Sequence, residues 1–317
     1  MIALHRLHRF FGATRAVDDV SFEIDRGHVF GYIGPNGAGK TTSMRILATL
    51  DLPTAGDALI DGLSVVNDPD RVRRRLGFMP DYFGTYNNVD CREYLDFFAR
   101  AYGLMGADRN RAVRRVMSFT GLDVLATKPI NGLSKGMKQR LCLGRALVHD
   151  PSVLVLDEPA AGLDPRARIE LRQMIRQLAA DGKTVLVSSH ILTELAEMCD
   201  TVGIIERGQL LAVGTVEEIQ QGSSAPNKDE PALPASIVGI RVLSNAEGLA
   251  DWLAKRDSQN QVQTDGNVVN LVRAGDAEAD ADLLRDVIQA GFRVVKFGSR
   301  QKSLEHVFLQ VTKGQVQ

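Results

Sequence analysis

The sequence predicts an α/β protein with a largely parallel sheet, followed by a smaller α+β domain of ferredoxin-like type. Apolar runs at 28–33, 152–157 and 183–189 alternate with helical patterns, and such runs are typical of strands buried on both faces of a parallel sheet. The stretch 222–236 carries three prolines and three serines without apolar periodicity, which predicts a linker. After it the pattern runs strand, helix, strand, strand, helix, strand, which is the ferredoxin-like order.

The composition is that of an ordinary globular protein. Of the 317 residues, 44% are hydrophobic and 24% are charged, and the net charge of −1 excludes a global basic field that would attract nucleic acid. Cys91, Cys142 and Cys199 form neither a metal-binding pattern nor a disulfide framework, which favours a reducing cytosol. Because no window approaches about 18 uncharged apolar residues, we expect any membrane role to come through a partner.

We expect two domains joined by the linker. The first is predicted at 1–221 and contains a helical insert at about 88–150, where apolar residues recur with the helical period. The second is predicted at 237–317, and its last segment has the pattern of one more helix. One helix of the insert has an apolar face formed by Leu95, Phe98, Ala99 and Tyr102.

The stretch IGPNGAGKTTS, residues 33–43, fits the phosphate-loop pattern G-x-x-x-x-G-K-[ST] and lies between a predicted strand and a predicted helix. Glycines let backbone N–H groups turn toward phosphates, and the helix N-terminus adds its positive dipole end. The pattern predicts that ATP binds with Mg²⁺, with Lys40 on the β- and γ-phosphates and the Thr41 hydroxyl on the metal. The alternative is a glycine-rich turn before a core helix. The residues assigned to the nucleotide are Gly34, Asn36, Gly37, Gly39, Lys40, Thr41 and Thr42.

A second element, SVLVLDEP, ends an apolar strand in two adjacent carboxylates. Carboxyl ends of parallel strands face the ligand crevice of an α/β sheet. We therefore expect Asp157 to lie on the Mg²⁺ side and Glu158, which is aimed differently, to accept a proton from the attacking water.

The stretch LSKGMKQ, residues 133–139, resembles LSGGQ, the signature of the ATP-binding subunits of ABC transporters, and the resemblance covers residues 1 to about 220. Independently of the family, Ser134 can cap a helix that starts near Lys135, and Gly136 leaves backbone N–H groups open to a γ-phosphate. The resemblance implies that this helix end contacts ATP held by a second cassette. That cassette is either a copy of this chain or a related ATPase subunit.

Three further stretches are similar to family motifs. In RFFGATRAVDDVSFEI the resemblance points to Phe11 as the ring that stacks on adenine, although a core phenylalanine is the alternative. AAGLDP resembles the D-loop, so Asp164 is expected to communicate across the dimer. VLVSSHIL places His190 after a strand, where the switch histidine of the family reaches the γ-phosphate. Away from such a motif series, a lone histidine after a strand is usually structural.

The sequence departs from the family at the Q-loop. Asp81 stands at the glutamine position, and we expect it to sense Mg²⁺ through a water with altered geometry. The aromatic cluster Tyr82, Phe83 and Tyr86 follows, and it predicts a docking surface for the membrane subunit, with local core packing as the alternative. Lys135 and Met137 also differ from the usual signature glycine and glutamine.

The resemblance implies an ATP-hydrolysing subunit that drives a separate transmembrane permease from the cytoplasmic face of the membrane. The stretches VGTVEEI and SLEHVFLQVT resemble ABC-2 type exporter ATPases. Two alternatives remain: an ABC-type ATPase that acts on nucleic acid or ribosomes, and a nucleotide-binding regulator in which Glu158 is inactive. We expect no nucleic-acid partner, and for the C-terminal domain a dimerising or docking role is favoured over ligand sensing.

Overall fold

A computed structural model describes residues 1–82, 84, 88–221, 235–256, 261–274, 277–301 and 304–312. The chain forms two compact units, one built on Met1–Thr215 and the other on Val216–Val311. Among the described residues, no helix combines the length and the apolar character that a membrane span requires. Most of the predicted linker 222–236, and Phe83 and Tyr86 of the predicted docking cluster, lie outside the described residues.

The first unit alternates strands and helices along most of its length. Its strands are β1 Ile2–Phe11, β2 Thr14–Ile24, β3 Val29–Ile33, β4 Ala55–Ile60, β5 Leu63–Ser64, β6 Leu76–Met79, β7 Val153–Leu156, β8 Thr184–Ser189, β9 Thr201–Glu206 and β10 Gln209–Thr215. Its helices are α1 Lys40–Leu47, α2 Pro69–Arg75, α3 Cys91–Ala101, α4 Gly106–Thr120, α5 Lys135–Leu147, α6 Pro165–Ala180 and α7 Leu192–Met198.

The central sheet has the strand order β10-β9-β3-β8-β7-β6, in which only the β9–β10 pair is antiparallel. Every residue of β3, β7 and β8 is buried, which confirms the prediction of strands covered on both faces. In register, Ile33 of β3 pairs with Ser189 of β8, and Leu156 of β7 pairs with Val187 of β8. These three strands therefore end at one edge of the sheet.

A second, antiparallel sheet with the order β2-β1-β4-β5 packs against the first, and the sequence analysis did not predict it. Leu4 and Phe22 from this sheet share one buried cluster with Phe30 and Tyr32 of β3. The rings of Phe22 and Phe30 stack with their centroids 4.7 Å apart. Because the shared core joins the two sheets, β2 is held close to the loop that follows β3.

The residues between β6 and β7 form the predicted helices. Asp90 caps α3 in a capping box with Glu93, whose side chain accepts from the Asp90 backbone N–H. Leu95 and Ala99 on the predicted apolar face are fully buried, whereas Tyr102, at the C-terminal cap, is 41% exposed. The apolar period therefore identifies the buried face of α3 but not the environment of its end.

The second unit has the ferredoxin-like arrangement that the order of its elements predicts. Its elements are α8 Val216–Gln221, β11 Ala235–Val242, α9 Ala246–Arg256, β12 Gln261–Asp265, β13 Val268–Ala274, α10 Ala277–Gln289, β14 Val294–Gln301 and α11 Leu304–Val311. The sheet order is β12-β13-β11-β14, and all neighbours are antiparallel. Strand residues such as Val238 and Leu271 pack with Leu249 of α9 and Leu283 of α10 in a separate apolar core.

That separate core makes a prediction for stability. Leu249→Ala removes a fully buried side chain, and we expect it to lower the free energy of unfolding of the second unit by about 2–5 kcal/mol. Ile288→Ala on α10 is the matched control, because Ile288 is 56% exposed. Denaturant unfolding of the full chain measures both effects. Equal shifts for the two variants would contradict this description of the core.

Candidate active site

The loop between β3 and α1 is clamped by backbone from two other strands. Gly39 has a φ of +105°, and a Cβ there would lie 2.2 Å from the carbonyl oxygen of Ala16 on β2. A Cβ at Gly34 would lie 2.4 Å from the carbonyl oxygen of Ile205 on β9. Both positions therefore require glycine, one for its conformation and both for the close approach of backbone.

Lys40 is the first residue of α1, and its side chain lies against this loop and is almost completely buried. Its Nζ donates to the carbonyl oxygens of Gly34 at 2.7 Å and Pro35 at 3.3 Å, and it lies 3.6 Å from Glu158 Oε1. Burial lowers the pKa of Lys40, while the charges of Glu158 and Asp157 raise it. The ammonium group is thus held at the loop by oxygen atoms on several sides.

Asp157, directly after β7, is also buried, with 1% of its surface exposed. Its Oδ1 accepts from the Ser188 hydroxyl at 2.6 Å, whereas its Oδ2 has no hydrogen-bond partner among the described residues. Burial raises the pKa of Asp157; the hydrogen bond from Ser188 and the Thr41 hydroxyl lower it, and the charge of Asp81 raises it again. The Thr41 hydroxyl and the Asp81 carboxylate therefore both influence this carboxylate.

Glu158 leaves the strand with a φ of +47°, in the left-handed region. For a residue with a side chain this conformation costs about 1–2 kcal/mol. Its Oε2 accepts from His190 Nδ1 at 2.8 Å, because an ionised carboxylate has no proton to donate. The side chain thus connects the phosphate-loop lysine with the histidine after β8. The structure brings Lys40, Thr41, Asp157, Glu158 and His190 together.

Ser188 is a residue of this group that the sequence analysis missed. It is fully buried in β8, and its hydroxyl contacts both Asp157 and the backbone N–H of Glu158. The only signal in the sequence is its position two residues before His190, and a serine in a buried strand predicts no function by itself.

Comparison with known proteins places this geometry in a family. Residues 17–161 match the protein family described as ABC transporter. The Nod factor export ATP-binding protein I of Ralstonia nicotianae is 34% identical over 270 residues, which cover 83% of this chain and 84% of that protein. This chain belongs to the ABC transporter ATP-binding proteins.

Two further similarities concern length and fold. The probable multidrug ABC transporter ATP-binding protein YbhF of Escherichia coli is 36% identical over 240 residues, and this chain spans 41% of its length. A solved ATP-binding subunit of an ABC transporter shares 30% identity and a TM-score of 0.64, over 70% of this chain and 93% of that one. The first unit is an ABC ATPase cassette.

The signature helix of this cassette begins where the sequence predicts. Ser134 caps α5 by accepting from the Met137 backbone N–H at 3.3 Å. Asp164 caps α6 by accepting from the Ala167 backbone N–H at 2.9 Å. The Lys135 Nζ lies against Gly162 of the D-loop, and a Cβ added at Gly162 would lie 2.2 Å from that nitrogen. Among the described residues, no hydrogen bond joins Ser134, Gly136 or Asp164 to the Lys40 and Glu158 group.

Three ion pairs, here called the ladder, join helix α6, which follows the D-loop, to α7, which follows His190, and to Asp200 just beyond the end of α7. Asp200 at the end of the ladder also accepts from the Val29 backbone N–H at 2.8 Å, which ties the ladder to the start of β3. Partly exposed pairs contribute about 0–1 kcal/mol each, so their main effect is on the position of α7. The pairs are Arg168 with Glu194, Arg172 with Glu197, and Arg176 with Asp200.

Two further residues of the predicted site are exposed. Phe11 at the end of β1 is 50% exposed and has the Arg9 guanidinium 4.4 Å from its ring centre, so it is not a core residue. Asp81, after β6, is exposed. Its neighbour Tyr82 is 76% exposed.

The residues present fit a magnesium ion. Mg²⁺ takes oxygen ligands and is usually bound by one or two carboxylates together with substrate phosphates. The buried Oδ2 of Asp157, which has no partner among the described residues, and the Thr41 hydroxyl that acts on the same carboxylate are such oxygens. The Asp81 carboxylate adds negative charge beside them.

The clamped loop makes a prediction that can be tested without nucleotide. Gly39→Ala adds a methyl group against the Ala16 carbonyl, and we expect it to lower the free energy of unfolding of the first unit by about 2 kcal/mol or more. The control is Gly103→Ala, where φ is also positive, at +80°, but no atom lies within 4 Å of the added carbon. Denaturant unfolding compares them, and an equal loss of stability would contradict the steric argument.

Proposed function

We propose that this chain hydrolyses Mg-ATP and uses the cycle to drive a separate membrane permease, as the ATPase subunit of an exporter. The observation that carries the proposal is the position of Glu158. Its carboxylate lies 3.6 Å from the Lys40 Nζ and 2.8 Å from the His190 Nδ1, at the edge of the central sheet where the phosphate loop begins. A carboxylate in this position can act on a water beside a bound γ-phosphate.

Each residue has a role in this mechanism. Backbone N–H groups of the loop, with the exposed Asn36 and Gly37 and the neighbouring Thr42, cradle the phosphates, and Lys40 neutralises them. Glu158 accepts the proton of the attacking water, while His190 orients Glu158 and reaches the γ-phosphate. Thr41 and Asp157 would hold Mg²⁺, which when bound would neutralise charge on the phosphate oxygens. Phe11 offers its exposed ring to adenine.

A second cassette completes the nucleotide site. The capped end of α5, with Ser134 and Gly136, and the D-loop with Asp164 are exposed or half-buried, and they make no contact with their own phosphate loop among the described residues. We therefore propose that they act on the ATP of a second copy of this chain, with a related ATPase subunit as the alternative partner. The closed dimer binds ATP better than the open one, so binding and hydrolysis shift the population between them.

Relatives named for Nod factor export and multidrug transport support an exporter, and short stretches of this chain resemble the ABC-2 type. Exposed Tyr82 is part of the proposed docking surface for the permease, which would hold the chain at the cytoplasmic face of the membrane. Because the relatives carry transporter names, the alternative of an ATPase that acts on nucleic acid or ribosomes is not favoured.

For the domains we propose a cassette at 1–221, with its helical subdomain at about 88–150, and an accessory domain at 237–317. The accessory domain has an apolar core of its own, which supports a separate folding unit, and we propose a dimerising or docking role for it. The segment 222–236 is proposed as the linker between them.

The role of Glu158 is tested by Glu158→Gln, which keeps the size of the side chain and removes its basicity. We expect kcat for ATP hydrolysis to fall by about 10²–10⁴-fold, with Mg-ATP retained on the protein as a dimer. Glu247→Gln, an exposed change on α9, is the matched control. A Glu158→Gln variant with full turnover would favour another base, and one that binds no ATP would contradict the proposal.

Asp81 is tested by Asp81→Ala and Asp81→Gln. We expect Asp81→Ala to raise the Mg²⁺ concentration for half-maximal hydrolysis by about tenfold, because a negative charge near the metal is lost, and Asp81→Gln to lie between it and the parent chain. Magnesium titrations of ATPase rate measure both. If neither variant changes the rate or its Mg²⁺ dependence, Asp81 has no metal-sensing role.

A further inference from the structure

Ser188 joins the two carboxylate residues of the site from the neighbouring strand. Its hydroxyl donates to Asp157 Oδ1 at 2.6 Å, and the same oxygen accepts from the Glu158 backbone N–H at 2.9 Å. The side chain has no exposed surface. We propose that Ser188 is a positioning residue for ATP hydrolysis, which holds the Asp157 carboxylate and the Glu158 backbone in the arrangement that the reaction needs. The inference rests on the proposed function.

The direction of both hydrogen bonds follows from the chemistry of the groups. A backbone N–H can only donate, so the Ser188 oxygen must be the acceptor from Glu158. A hydroxyl has one proton, which is then available for Asp157 Oδ1. One side chain therefore satisfies two groups at once, and its removal leaves both without their partner in a buried place.

The first bond selects which oxygen of Asp157 is available. With Oδ1 engaged by Ser188, the remaining Oδ2 is buried and has no hydrogen-bond partner among the described residues. The Thr41 hydroxyl acts on this same carboxylate. Ser188 thus fixes the rotation of the carboxylate group and directs one oxygen to the position proposed for the metal.

The second bond stabilises the turn that aims Glu158. Side chains of successive residues in a strand point to opposite faces, so a regular continuation of β7 would send the Glu158 side chain away from that of Asp157. The left-handed φ of +47° breaks the alternation, and the bond to Ser188 is made by the N–H of this strained residue. In this conformation Glu158 lies between Lys40 and His190.

The next residue provides a matched control. Ser189 is also buried in β8, but its Oγ accepts from the Ile191 backbone N–H at 3.0 Å, at the turn before α7. Among the described residues it makes no hydrogen bond to Asp157 or Glu158. Substitution by alanine at each of the two serines therefore separates the general effect of losing a buried hydroxyl from the effect of losing the hydroxyl that contacts Asp157 and Glu158.

The experiment compares Ser188→Ala and Ser189→Ala in the full chain. We expect Ser188→Ala to lower kcat for ATP hydrolysis by about 10–100-fold with KM for ATP within about twofold, because the lost bonds position the metal ligand and the base. In the Glu158→Gln background, where turnover is removed, Ser188→Ala should raise the Mg²⁺ concentration for half-maximal ATP retention by about tenfold. Ser188→Thr, which keeps the hydroxyl, should restore most of both values.

Unchanged kcat and an unchanged Mg²⁺ requirement in Ser188→Ala would overturn the inference, as would equal losses in Ser189→Ala. Thermal unfolding checks that each variant is folded. If Ser188→Ala does not fold, Ser188→Cys keeps the volume with a weak donor, and parental kinetics in that variant would overturn the inference equally. A parent chain that neither binds nor hydrolyses Mg-ATP would instead refute the proposed function, so the two failures are distinguishable.

Discussion

The site depends on one constraint, which is the shared end of three parallel strands. Register pairs Ile33 with Ser189, the last residues of β3 and β8, and pairs Leu156, the last residue of β7, with Val187, so the three strands end within two residues of one another at the same edge of the sheet. The phosphate loop, the two carboxylates and the histidine therefore start from neighbouring points, where Glu158 contacts both Lys40 and His190. The apolar strands provide this alignment because they are buried on both faces and cannot slip without exposing their side chains.

Within that frame, the balance of charge determines what the site can bind. One buried lysine faces two adjacent carboxylates, with oxygen atoms of the loop completing its surroundings. Burial disfavours the charged forms of Lys40 and Asp157. The charges of Glu158 and Asp157 offset that cost at Lys40, and the hydrogen bond from Ser188 offsets it at Asp157. Phosphate oxygens would compete with Glu158 and the loop carbonyls for Lys40, which links nucleotide binding to the freedom of the base.

Much of this could be predicted from the sequence because the responsible signals are local. Uninterrupted apolar runs identified β3, β7 and β8, and Ser134 identified the start of α5. The antiparallel sheet was missed because β1 pairs with the distant β4, and because bulges in both ladders of β1 interrupt the alternation. Ser188 was missed because its importance lies in contacts with residues that follow another strand. The exposure of Phe11 could not be predicted because it depends on tertiary packing, which the apolar periodicity of the sequence does not encode.

The proposed completion of each ATP site by the signature helix of a second copy can be tested by mixing two inactive variants. Lys40→Ala disables the phosphate loop and Ser134→Arg disables the signature end of α5. In a mixed dimer one of the two sites combines the intact loop of one copy with the intact signature of the other, so an equal mixture should recover about a quarter of the parental ATPase rate. A mixture no more active than its separate components would contradict the account.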